Sequence, residues 1–100
     1  MGIMTYDSRI TAEMDDRTLG HLQVVIWSKL RRGEHFAFTW IEETEEQRRT
    51  SVWCSPTIPM SFQFEGAEPP ELNPRWLEVL TKAANSAGGL RLVPEPEAAS

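Results

Sequence analysis

Cys54, His21 and His35 are the side chains best suited to nucleophilic or zinc chemistry, and their placement favours neither. A reactive thiolate needs an adjacent base or positive charge to lower its pKa. Cys54 reads as mid-strand among aromatic residues, where a lone cysteine behaves as a small buried hydrophobe. One cysteine and two scattered histidines fall one ligand short of a closed structural zinc site. His21 reads as lying on the flank of a helix whose buried stripe is filled without it, and His35 opens a strand. The glutamates of Glu42-Glu43-Thr44-Glu45-Glu46-Gln47 lack the glycine-containing turn that converges carboxylates on a hard cation, so the run reads as a solvated loop tip. Gly88-Gly89 follows a helix, whereas anions bind where helices begin; these glycines read as a stop. The second helix's N-terminus, with Asn73 and Arg75, suits an anion slightly better. No cofactor and no metal is expected, and an enzyme built on Cys54 is the least supported of three functional readings.

The other two readings are binding readings. Lys29, Arg31 and Arg32 end a helix, and Arg48 and Arg49 begin a strand; on one side they would form a basic ridge able to contact a phosphate backbone. The competing account is local: the first three suit a helix C-terminus, and the two arginines answer Glu42, Glu43, Glu45 and Glu46 across a hairpin. Trp53 has opposite strand parity to Val52 and Cys54, so either it or that pair faces away from the helices. An outward Trp53 beside Ala37, Thr39 and Gln63 would give a flat patch suited to a protein partner, and unpaired sheet edges could also join two copies as a homodimer. Protein contact is the leading reading and a DNA-associated accessory role the alternative.

Composition bounds both. One hundred residues make one small domain, and 40% apolar with 25% charged residues is ordinary for a globular chain. Ten Lys/Arg against fifteen Asp/Glu give a net charge of −5, which argues against a general polyanion binder and a basic membrane-surface protein. The single cysteine excludes an internal disulfide and any CxxC motif. Val24-Val25-Ile26-Trp27 is far too short to cross a bilayer, and the first residues lack the pattern of an export signal, so the expected compartment is the cytoplasm.

Local signals place the elements. A weak alternation through Ile10, Ala12 and Met14 predicts a short strand, with Tyr6 on another before an Asp7-Ser8 turn. Asp15 caps a helix over 16–32, whose stripe is Leu19, Leu22, Ile26 and Lys29/Leu30, widened by Val25 and Trp27; Gly33 stops it. Strands follow over 35–41, 50–55 and 60–65, the first burying Phe36, Phe38 and Trp40 and the third Met60, Phe62 and Phe64. Asn73 caps a second helix with Pro74 at its first position and a stripe of Trp76, Leu77, Leu80, Ala83, Ala84 and Ala87. Leu90–Val93 reads as a last strand. The expected fold is α+β: a two-layer domain over 1–93, two helices packed on one face of a mostly antiparallel sheet in the order β-α-β-β-β-α-β, followed by a flexible tail over 94–100. The helix–three-strand–helix core shares its order with double-stranded-RNA-binding domains. Pro74-Arg75-Trp76-Leu77-Glu78, however, puts one positive and one negative charge where that binding mode needs a basic cluster.

Four blocks carry a wider resemblance: Asp15-Asp16-Arg17-Thr18-Leu19 with Lys29-Leu30-Arg31-Arg32-Gly33; Pro59-Met60-Ser61-Phe62-Gln63-Phe64 with Gly66; Leu72-Asn73-Pro74-Arg75-Trp76-Leu77-Glu78; and Gly88-Gly89-Leu90-Arg91-Leu92-Val93-Pro94. From about Met14 to Pro96 the chain resembles a family of short actinobacterial proteins of unknown function, often labelled "ATP-dependent DNA ligase". The family supplies no catalytic residues to carry over. Ligases of that type resemble other nucleotidyl transferases in using a lysine nucleophile within Lys-x-Asp-Gly. Here the lysines, Lys29 and Lys82, are followed by Leu30-Arg31-Arg32 and Ala83-Ala84-Asn85. The resemblance therefore implies, at most, a role beside DNA enzymes.

Overall fold

A computed structural model describes residues 1–42 and 44–97; Glu43 of the acidic run and residues 98–100 of the expected tail lie outside the described residues. The chain opens with a hairpin, β1 (Gly2–Tyr6) and β2 (Ile10–Met14). Its turn places Asp7 and Ser8 at φ 53° and 59°, and the Arg9 N–H donates to the Tyr6 carbonyl. Two successive left-handed residues make a type I′ turn, whose twist matches that of the strands it joins.

Helix α1 (Asp16–Arg31) begins where the capping chemistry predicts. The Asp15 carboxylate accepts from the Thr18 N–H at 3.2 Å and from the Thr18 hydroxyl at 2.7 Å. Gly33, at φ 75°, turns the chain out of the helix. Strands β3 (Phe36–Ile41) and β4 (Arg49–Cys54) form the expected hairpin, and β5 (Met60–Gln63) follows. Helix α2 (Pro74–Ala84) is capped by the Asn73 side chain, which accepts from the Arg75 N–H at 3.0 Å. It ends earlier than the stripe through Ala87 predicts, and Ala87 is exposed. The last strand, β6, is only Leu90–Arg91.

The class is α+β, with two helices over mostly antiparallel strands. The strands divide between two three-stranded sheets, β2-β1-β5 and β4-β3-β6. β5 does not continue the β3–β4 hairpin; it pairs antiparallel with β1, Met4 opposite Phe62 and Tyr6 opposite Met60. The vacant place beside β3 is taken by β6, running parallel, with Phe38 opposite Leu90. Helix α1 packs on β1, and α2 packs on β3 and β6 and against α1. One continuous core results, joining Met4, Leu22 and Ile26 to Phe38, Trp76, Leu80 and Leu90. Burying side chains of this size stabilises a fold by roughly 2 kcal/mol each, before the entropy of ordering is subtracted. The Tyr6 hydroxyl donates to the Trp53 carbonyl and so ties the two sheets together.

Candidate functional site

His21, which reads as flanking a buried stripe already filled without it, is itself wholly buried and part of that interior. Its Nδ1 lies 2.7 Å from the Arg17 carbonyl, and its Nε2 accepts from the Asn73 N–H at 2.8 Å. A nitrogen that accepts from an amide carries no proton, so Nδ1 is the donor and the ring is neutral. Its face lies against Trp76, with ring centroids 4.5 Å apart. Around this ring the chain closes a polar knot. Arg17 makes a two-pronged pair with Glu95 at 2.8 and 2.6 Å and donates to the Glu71 carbonyl, while the Asn73 amide donates to Glu95 and to the Pro96 carbonyl. Arg17 first, and Asn73 second, hold the Glu95 carboxyl down to about 2. Glu95 and Pro96, within the segment expected as tail, are thus fastened to both helix starts. The polar atoms named here are partnered within the protein, so the knot joins α1, α2 and the Glu95-Pro96 segment.

Cys54 is fully buried, and burial pushes its thiol up to about 12. At neutral pH such a group holds almost no thiolate. His35, the other candidate base, is exposed and stands 6.3 Å from the Trp53 ring.

The five basic residues of the expected ridge do not converge. Lys29 is buried; its ammonium donates to Glu34 at 2.9 Å and to Asn85 at 2.6 Å, and it lies over the Phe36 ring. Arg32 also pairs with Glu34, and Arg48 pairs with Glu46. Lys29 adjoins the start of β3 at Phe36, whereas Arg49 stands opposite Ile41 at its end. Five residue steps along a strand separate those ends by about 17 Å. Arg31 is exposed at the end of α1.

Of the expected partner patch, Trp53 and Thr39 share a face and Gln63 does not. Trp53 is 59% exposed, which resolves its parity: Val52 and Cys54 point inward. Thr39 sits beside Ser51, their hydroxyls 2.7 Å apart. Gln63 departs with β5 to the other sheet, opposite Ile3. The face around Trp53 also carries Ala37, Ile41, Arg49 and Arg91, and no helix covers it. Ile41 is 58% exposed. The sequence pairs Thr39 with Ser51 through the hairpin alternation, but Arg91 reaches this face only through a parallel pairing across 52 residues, which no local signal gives.

A second apolar area lies on α1. Val24 and Trp27, one turn apart, are exposed, although Trp27 was expected within the buried stripe; its ring meets the edge of Phe62 at 5.7 Å. Next to it the proline-rich loop and α1 enclose a groove of about 230 Å³, lined by Gly20, Val24, Phe64, Pro70 and Leu72 among others. Gly20 makes this possible, because a Cβ there would stand 2.6 Å from Pro70. The loop is pinned by Asp16, whose carboxylate accepts from the Gly66 N–H at 2.9 Å and the Glu65 N–H at 3.1 Å; those bonds hold it below the usual carboxylate range.

No group of His, Cys, Asp and Glu able to hold a metal ion occurs among the described residues, and no described helix is long and apolar enough to cross a membrane. No curated protein and no solved structure matches the chain. A family match does exist, and it spans almost the whole of the fold just described: over residues 1–95 the chain belongs to the DUF7882 family, a domain of unknown function.

Proposed function

We propose that this chain is a non-catalytic module that binds another polypeptide through the open face of the β4-β3-β6 sheet. The observation that carries the reading is Trp53, a large aromatic side chain left 59% exposed near the end of β4 on the open face of its sheet. Tryptophan and arginine dominate the energetics of protein interfaces, and this face offers Trp53 with Arg49 and Arg91. Small domains scatter single apolar residues over their surfaces, but Trp53, Ile41 and Ala37 share one flat face.

The two other readings have weaker support. A DNA-associated accessory role, suggested by the ligase-labelled resemblance, loses Lys29 to an internal ion pair and finds its arginines apart. An enzyme using Cys54 would have to work from a buried, protonated thiol.

Site-specific photo-crosslinking tests the proposal. With benzoylphenylalanine replacing Ser51, irradiation in the native cell is expected to give a discrete heavier adduct. The same probe at Glu13, on the outer face of the other sheet, is expected to give none. Equal labelling from both positions, or none from Ser51, overturns the reading. The adduct's mass separates a second copy of this chain from a foreign protein.

A further inference from the structure

Resting on that reading, we infer that the partner presented to this face is a short acidic segment of a protein chain, seated with an apolar side chain beside Trp53 and its carboxylates on Arg91 and Arg49. Charge is the first argument. The chain carries −5 overall, yet among the described residues of β3, β4 and β6 the outward-facing charges of the open face are Arg49 and Arg91, with no carboxylate. Among the described residues neither arginine forms an ion pair. Glu34, the acidic side chain at the rim of a depression beside Trp53, is taken by Lys29 and Arg32. A cationic face on an anionic molecule is complementary to an acidic partner and repels a basic one.

Shape is the second. Trp53, Ala37, Ala87 and Gly89, together with the polar His35 and the Lys29-paired Glu34, help to line that depression, of about 340 Å³, at one corner of the face. Its floor is low because position 89 has no side chain; a Cβ there would stand 2.7 Å from the Ala37 carbonyl. The Arg91 guanidinium lies against Gly88, with Nη2 3.8 Å from where a Cβ would be. Arg91 does not line the depression itself; its guanidinium stands beside Gly88, next in sequence to the lining Gly89, within reach of a segment that seats an apolar residue beside Trp53 and continues past it. Arg49 stands four residues along β4 from Trp53, about 13 Å, which an extended segment covers in four residues.

Size excludes the obvious competitor. Two six-residue strands of about 20 Å and one two-residue strand of about 7 Å, at about 4.8 Å spacing, give a flat footprint of roughly 230 Å². A stable interface buries about 800 Å² on each partner, so two copies stacked through this face alone would not hold together. Nucleic acid is disfavoured by number: two guanidinium groups neutralise only about two phosphates, against a net charge that opposes the approach.

The test is selection from a displayed library of random dodecapeptides on the full chain, followed by anisotropy titration of the selected peptides. The expected winners are acidic with one large apolar residue. Trp53→Ala should weaken them at least tenfold, Arg91→Glu and Arg49→Glu each at least fivefold, and Ser51→Lys, which adds a cation at the centre, should tighten them about threefold. Peptides that need Trp53 but show no acidic bias and ignore both charge reversals overturn this inference and leave the protein-binding reading standing. Peptides indifferent to Trp53→Ala overturn both. An oligothymidylate probe that binds more tightly than any peptide and requires the same arginines replaces the acidic segment with a nucleic acid.

Discussion

His21 holds both ring nitrogens in hydrogen bonds, to Arg17 and Asn73, which lie 56 residues apart in sequence, and that makes it costly to remove. His21→Ala strands the buried Asn73 N–H and opens a cavity beside Trp76; a loss of about 3 kcal/mol is expected from urea unfolding. The Trp40 indole is the opposite case. Its N–H is buried without an acceptor among the described residues, so Trp40→Phe removes an unmet donor along with some volume. Its cost should stay near 1 kcal/mol, well under the 3–5 kcal/mol typical of Trp→Ala. Two glycines give a paired comparison. Gly33 and Gly89 sit at φ 75° and 80°, but a Cβ at Gly33 meets nothing within 4 Å, while at Gly89 it meets the Ala37 carbonyl at 2.7 Å. Gly33→Ala should cost about 1 kcal/mol of backbone strain, and Gly89→Ala should exceed it by a further 1 kcal/mol or more in the same assay.

The carboxylates that fasten elements together set the response to acid. Arg17 and Asn73 hold Glu95 at about 2, the Gly66 and Glu65 amides depress Asp16, and Lys29 depresses Glu34. A carboxyl whose folded pKa lies below its unfolded value stabilises the fold above the unfolded value and loses that contribution as pH falls through the folded one. Unfolding midpoints should therefore drop between about pH 4.5 and pH 2, and Glu95→Gln should flatten the lower part of that slope. The elements themselves were legible wherever their determinants are local. Asp15, Gly33, Asn73 and Pro74 mark both helices within a few residues, because caps act over one turn. Pairing was not legible in the same way. Met60, Phe62 and Phe64 announce a strand, but the choice of β1 over β4 as its neighbour depends on which edge the closed core leaves free. His21 was misplaced because apolar periodicity counts histidine as polar; its i+4 relation to buried Val25 was the signal that could have found it.

For the whole molecule the consequences concern association. If the open face is too small to hold two copies, sedimentation at micromolar concentration should show a monomer through that surface, and Trp53→Ala should leave the sedimentation coefficient unchanged. The candidate surface was half legible: parity identified Trp53 as one of two choices and put Thr39 beside it, whereas Arg91 arrives through a parallel pairing and Gln63 leaves with its strand.

Several closures join early residues to much later ones: Gly2–Tyr6 to Met60–Gln63, and Arg17 to Glu95, 78 positions on. While the ribosome is still adding those later residues, Met4, Tyr6 and Leu22 have only β2 and α1 to cover them. Until β5 is made, the nascent chain therefore carries one edge of its first hairpin unpaired, a stretch that a holding chaperone would shield.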